Sequence, residues 1–314
     1  MPTPYGLLAL TCPKSCCHCR GRRRKVDVRT YTAKAPAKLN LRLKVTGRRP
    51  DGYHELVSLM VPVDLCDHLE FTLIPEGVEL LWEGLPVPDD EENLVRRAAR
   101  AFFGRSGVTA GVRVRVAKNI PVSAGMGGGS SDAAATLLSL NRLCSAPLSL
   151  ETMKELALQL GADVPFFLEP KPCIATGIGE ILEPLDRWPL FWYLIVAPGF
   201  QVSTAWVYKN LRLGLTSNEY DRIKKELQKK RPVMSQLLEN DLESVTSTHF
   251  PTLDRIKKTL MDAGAEGSLM TGSGPGVFGV FGSREQAEQA RERIIPCDFG
   301  KVFLAEAWKH NMGH

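Results

Sequence analysis

No run in this 314-residue chain is both long and apolar enough to read as a membrane span. The longest uncharged stretch, between Arg187 and Lys209, is broken by Pro189, Pro198, Gly199, Gln201, Ser203 and Thr204. It reads as a buried strand, a turn and a helix start. Internal repeats are absent. A basic surface is lacking as well, despite a formal net charge of +5, because Lys14, Arg20, Arg22, Arg23, Arg24 and Lys25 supply six positive charges before residue 26 with no acid among them. The remainder is close to neutral, which argues against a nucleic-acid partner.

Zinc spacing is missing too. Cys12, Cys16, Cys17 and Cys19 crowd around His18, but they fit no standard metal pattern and have no second half-site. Cys66, Cys144, Cys173 and Cys297 are scattered among apolar neighbours, as buried thiols of a reducing compartment would be. The first residues fail as a signal peptide, since Leu7-Leu-Ala-Leu10 is short and its positive charge follows the apolar core. They are arginine-rich like a transit segment but poor in serine. Residues 1–28 read as a disordered tail, or as an extension from a misplaced start codon. The expected compartment is a bacterial cytoplasm, with a plastid the alternative if the tail is a transit segment.

What the chain does have is centred on residues 112–144. Val112, Val114 and Val116 alternate with Arg113 and Arg115, the period of a half-buried strand. Ala134, Leu137, Leu138 and Asn141 recur at helical spacing. Between them runs Pro121-Val-Ser-Ala-Gly-Met-Gly-Gly-Gly-Ser-Ser-Asp132. Such a loop lets the backbone approach a ligand, and the helix it feeds presents orphan N–H groups that favour an anion. Ser130 and Ser131 are placed to cap that helix and to offer hydroxyls to phosphate or magnesium. The loop lacks the lysine of a Walker A motif and the third glycine of a dinucleotide fingerprint. It reads as a phosphate cradle of another kind.

Elsewhere, Leu39, Leu41, Leu43 and Val45 alternate with Lys38, Asn40, Arg42 and Lys44, predicting a strand with one apolar and one polar face. A turn at 47–52 leads to Tyr53-His54, which on its own reads as a packed loop end. Strands are expected at 57–63, 69–74 and 78–82. Asn93 caps a helix with Leu94, Ala98 and Phe102 inward, stopped by Gly104. After a turn at Pro147, Ser149 caps a helix ended by Gly161. Asp163 follows within an apolar run; it either caps a turn or is a carboxylate partly shielded from water, fit to act as a base. A boundary between Pro184 and Pro189 divides an N-terminal domain, 29–187, from a C-terminal one, 188–314. The latter reads as β-α-α-β-β-α-β, an α+β unit with an antiparallel sheet and a basic solvated helix at 220–230.

Three separated patterns, Pro36-Ala-Lys-Leu-Asn40, the loop from Pro121 to Asp132, and Met270-Thr-Gly-Ser-Gly-Pro-Gly276, resemble the motifs of the GHMP small-molecule kinases. Residues 47–54, Glu92-Asn-Leu94 and Gly161-Ala-Asp-Val-Pro165 are similar to the branch of that superfamily whose acceptor is 4-diphosphocytidyl-2-C-methyl-D-erythritol. The likeness spans residues 31–308. It implies a two-domain α+β fold, with a ribosomal-protein-S5-like N-terminal domain and a ferredoxin-like C-terminal domain. It also implies transfer of the γ-phosphoryl of ATP to the substrate's 2-hydroxyl, in the non-mevalonate route to isoprenoid precursors. Mevalonate or homoserine kinases, and an inactive nucleotide-binding relative, are the alternatives.

The resemblance implies roles residue by residue. Lys38 and Asp163 are the expected catalytic pair. Asn40 and Asp163 hold the erythritol end, and Tyr53, His54 and Tyr208 the cytosine. Asn93, Lys118, Pro121, Val122, Ser123, Ala124, Gly125, Met126, Gly127, Gly128, Gly129, Ser130 and Ser131 take ATP. Mg²⁺ is expected at the phosphates beside Ser130, and Gly272-Ser-Gly274 approach from the second domain. Ser123 and Met126 depart mildly from the family loop, where glycine and leucine are expected.

Overall fold

The computed structural model of the chain describes residues 30–309 except 86, 88–89, 146–147, 213–217 and 230. The expectations for the cysteine-rich tail and for a turn at Pro147 lie outside the described residues. In order, the first half holds β1 (Thr30–Arg48), β2 (His54–Ile74), β3 (Val78–Gly84), α1 (Leu94–Ser106), β4 (Gly111–Lys118), α2 (Gly128–Leu143), α3 (Leu150–Leu160), α4 (Val164–Leu168), β5 (Cys173–Thr176) and β6 (Ile181–Pro184). The second holds β7 (Trp192–Ala197), α5 (Thr204–Asn210), α6 (Glu219–Leu227), α7 (Met234–Leu237), β8 (Glu239–Asn240), α8 (Asp241–His249), α9 (Thr252–Asp262), β9 (Gly267–Met270), β10 (Val277–Phe281), α10 (Arg284–Ile294) and β11 (Lys301–Glu306).

Two sheets organise these elements. One runs β3-β4-β2-β1-β8, with β5 paired to β2 and β6 to β5; the other is β11-β7-β10-β9. On one face of the first sheet, α1, α2, α3 and α4 cover Met60, Phe71, Val114 and Val116. Leu39, Leu41 and Val61 pack towards the second sheet's Tyr193, Ile195 and Phe278. The second sheet's far face, with Leu194, Val277 and Phe281, is covered by α8, α9 and α10. Among the described residues no helix is long and apolar enough to cross a membrane.

Local chemistry accounts for much of this. The valines at 112, 114 and 116 are fully buried, while Arg113 and Arg115 turn outward to Glu79 and Glu83. Asn93 caps α1 by accepting from the Val95 N–H, and Ser149 caps α3 through Thr152 N–H. The inner face of α1 is Val95, Ala98, Ala99 and Phe102, with Leu94 only partly covered. That helix runs past Gly104 to Ser106 and ends at Gly107, because one glycine in a well-packed helix costs only about 1 kcal/mol.

Several expectations are corrected. β2 is one long strand where two were expected, its pairing with β1 absorbing shifts at Pro36/Ala37 and Asn40/Arg42. α7, β8 and α8 were not foreseen. Cys297 is exposed and Cys144 half-buried. The helix at 219–227 is not simply solvated, since Glu219, Ile223 and Glu226 are buried. Above all, the polar face of β1 is not exposed: residues 35–45 are buried without a break.

Buried cations need partners, and β1 finds them across the chain. The Arg42 guanidinium donates to Glu219 Oε2 at 2.7 and 2.9 Å, to Glu239 Oε2 at 2.5 Å and to the Leu237 carbonyl at 3.1 Å. Lys44 donates to Glu239 at 2.7 Å and Asp241 at 2.6 Å. Burial opposes the charge on Lys44, but the two carboxylates outweigh it and raise its pKa. Arg42→Met leaves Glu219, which is 6% exposed, with only the more distant Arg222 at 3.7 Å, and is expected to cost about 3–5 kcal/mol in urea unfolding. A loss under about 1 kcal/mol would contradict this account of a buried pair.

Candidate active site

The loop after β4 and the turn at 271–276 are built against each other. A side chain on Gly125, whose φ is +75°, would place its Cβ 2.1 Å from the Thr271 carbonyl oxygen. Gly276 N–H donates to the Ala124 carbonyl at 3.2 Å, and Asn240 Nδ2 donates to the Met270 and Gly272 carbonyls at 2.8 Å each. Thr271 Oγ1 accepts from the Asn40 N–H at 3.0 Å, and Lys38 N–H donates to the Met126 carbonyl at 3.0 Å. β1, the loop and the turn thus form one unit under a cleft of about 1350 Å³.

α2 opens onto this cleft with Gly127 at its N-cap, φ +69°, and no capping side chain. The helix begins three residues earlier than a Ser130 cap would place it. Ser130 therefore lies inside the first turn, lining the cleft, and the N-terminal N–H groups are left to an incoming anion. Ser131 is corrected further: its hydroxyl is buried and has no hydrogen-bond partner among the described residues. Ala124 and Met126 are buried in the core beneath the loop and also border the cleft. Pro121, Val122, Ser123, Gly128 and Gly129 line the cleft, and Asn93 reaches its edge.

Lys118, expected to take ATP, borders the cleft with its charge already paired beneath it. It is 4% exposed and holds two carboxylates, Asp67 and Asp132, the latter at 2.6 Å. Burial opposes its charge, but Asp132 and Asp67 raise its pKa. Asp132 is pushed up by burial, with Lys118 pulling down and Asp67 pushing up. Asp67 Oδ1 also accepts from the N–H groups of Asn119 at 2.6 Å and Ile120 at 2.9 Å. These carboxylates take two of the ammonium's three donors and pin the loop's entry to α2. Sequence reading missed Asp67 and gave Asp132 no role.

Lys38 Nζ lies 3.4 Å from Asp163 Oδ2, with side-chain exposures of 6% and 38%. Asp163 occupies the N-cap position of α4 but makes no capping hydrogen bond; its carboxylate instead borders the cleft beside Lys38. Asn40 is turned towards its neighbours, accepting from Lys38 Nζ at 2.5 Å and donating to Ser58 at 2.8 Å.

The aromatic end of the cleft also departs from expectation. His54 and Tyr208 stack on each other, centroids 5.0 Å apart and planes 27° off parallel. Rings at that spacing cover each other, so no base fits between these two. Tyr53, 58% exposed, is the free aromatic face. Burial, then Arg48, lowers the His54 pKa, whereas burial and Asp163 raise Tyr208 to about 12.

A glycine-rich anion cradle, a helix N-terminus and a lysine–aspartate pair between two sheets define a GHMP-type kinase. The families described as "GHMP kinases N terminal domain" and "GHMP kinases C terminal" match residues 93–170 and 213–299. A homoserine kinase structure from Cytophaga hutchinsonii shares the fold at TM-score 0.69 and 18% identity, over 88% of this chain and 95% of its own. More specifically, a Geobacter metallireducens protein named 4-diphosphocytidyl-2-C-methyl-D-erythritol kinase is 47% identical over 268 residues, 85% of this chain and 95% of that one. A crystal structure of 4-(cytidine 5'-diphospho)-2C-methyl-D-erythritol kinase superposes with TM-score 0.74 at 36% identity, over 89% of this chain and 100% of the other. The chain belongs to the 4-diphosphocytidyl-2-C-methyl-D-erythritol kinase family.

The interlock is directly testable. Gly125→Ala is expected to raise KM for ATP by about tenfold or more, since strain of roughly 1–3 kcal/mol falls on the cradle. Steady-state kinetics giving an unchanged KM would contradict the close approach to Thr271.

Proposed function

We propose that the chain transfers the γ-phosphoryl group of ATP to the 2-hydroxyl of 4-diphosphocytidyl-2-C-methyl-D-erythritol, a step towards isoprenoid precursors. The observation that carries this reading is the Lys38–Asp163 pair at 3.4 Å beside the glycine cradle, in a chain 47% identical to a kinase of that name. Asp163 accepts the hydroxyl proton as the substrate oxygen bonds to Pγ. The bond from Pγ to the bridging oxygen breaks, and ADP leaves with that electron pair. The Lys38 ammonium stabilises charge developing on the transferring group.

The cradle at 125–130 and the open N-terminus of α2 hold the triphosphate. The donor set suits a magnesium ion carried by ATP: the described residues show no cluster of three His, Cys, Asp or Glu side chains, and Ser130 offers one hydroxyl at the cradle. Ser130 would be the contact from this chain, and such an ion would supply charge neutralisation at the transferring phosphate. At the far end, cytosine stacks on the free face of Tyr53 or of the His54–Tyr208 pair.

ATP consumption is expected with the cytidyl substrate and not with mevalonate or homoserine. Asp163→Ala is expected to lower kcat by about 10²–10⁴. Turnover with another acceptor would overturn the substrate assignment, and an active Asp163→Ala would overturn the base.

His54 supplies a pH test. Its pKa lies below the ordinary 6.5, so the ring is neutral at neutral pH and offers one donor and one acceptor. KM for the cytidyl substrate is expected to stay flat across neutral pH and to rise only below the ordinary imidazole range, where the cation forms. His54→Gln should flatten that acid rise; its persistence would contradict the role of His54.

A further inference from the structure

Resting on that reading of Lys38 and Asp163, we infer that Ser58 is a positioning residue for phosphoryl transfer, acting through Asn40 on the Lys38 ammonium. Ser58 lies on β2, is 1% exposed, and sits at the floor of the cleft behind Asn40. Its hydroxyl donates to the Arg42 carbonyl at 2.7 Å and accepts from Asn40 Nδ2 at 2.8 Å. Asn40 Oδ1 then accepts from Lys38 Nζ at 2.5 Å, and Lys38 Nζ stands 3.4 Å from Asp163 Oδ2.

The order of donors and acceptors gives this chain a direction. A serine hydroxyl has one proton, and the Arg42 carbonyl takes it. Only lone pairs then face Asn40, so the asparagine must present its NH₂ to Ser58 and its oxygen to Lys38. Were the amide reversed, its NH₂ would meet the ammonium, donor against donor, and Lys38 would lose the partner that holds it. The strand geometry assists: Lys38 and Asn40 share a face of β1, and the register shift after Asn40 falls between the two residues that Ser58 joins. Asn40's amide is thus engaged on both sides, which makes it the support of the catalytic lysine and not only a substrate contact. All of these groups but Asp163 are buried, so each unmet hydrogen bond counts.

The test is kinetic, with both substrates varied. Ser58→Ala is expected to lower kcat about tenfold, the worth of one buried hydrogen bond, while KM for ATP and for the cytidyl substrate stays within about twofold. Ser58→Thr, which keeps the hydroxyl, restores kcat. Ser58→Cys, of similar volume but with a weak donor and acceptor, carries the same expectation should the alanine variant not fold. In a Lys38→Ala background, Ser58→Ala should cause no further loss, because its effect runs through the missing ammonium. An unchanged kcat in Ser58→Ala, a rise in KM alone, or full additivity with Lys38→Ala would overturn the relay. Full activity of Lys38→Ala itself would instead sink the underlying assignment of Lys38.

Discussion

The structure depends on burying a strand face that carries three cations and an amide. Lys38, Asn40, Arg42 and Lys44 lie in line on β1, none more than 5% exposed. Removing such groups from water is costly unless each is paired. Their partners come from β2, the Asp163 turn, α6, β8 and α8. One strand therefore fixes the relation between the halves of the chain. At one end, at Asp163, it leaves a carboxylate facing the cleft.

The phosphate cradle rests on the same arrangement. Its glycines are required less for mobility than for contact, since the Thr271 backbone occupies the space a side chain on Gly125 would need. Lys118, held between Asp67 and Asp132, anchors the loop from below. The cradle is thus clamped by backbone on one side and by buried charge on the other, which suits a site whose catalysis is mostly positioning.

Much of this was legible in the sequence where the signal is local. The valine strand, the caps at Asn93 and Ser149, and the loop between strand and helix follow from period and spacing. Alternation along β1 showed which residues share a face, but not what covers it, because the covering groups lie up to 197 residues away. The same limit hid Asp67 as the partner of Lys118, 51 residues on. Ser130 and Ser131 misled because hydroxyls suit a helix cap, whereas Gly127 in the left-handed region starts the helix before them. An acid within an apolar run marks Asp163 locally, but its pairing with Lys38 comes from the family likeness alone; no spacing joins them.

The most direct measurement is a crystal structure of the chain with a non-hydrolysable ATP analogue, Mg²⁺ and 4-diphosphocytidyl-2-C-methyl-D-erythritol. The account predicts the substrate's 2-hydroxyl within about 3.2 Å of the Asp163 carboxylate, with the γ-phosphate over the cradle and Lys38 beside both. A hydroxyl directed at another side chain, with Asp163 left to solvent, would contradict it.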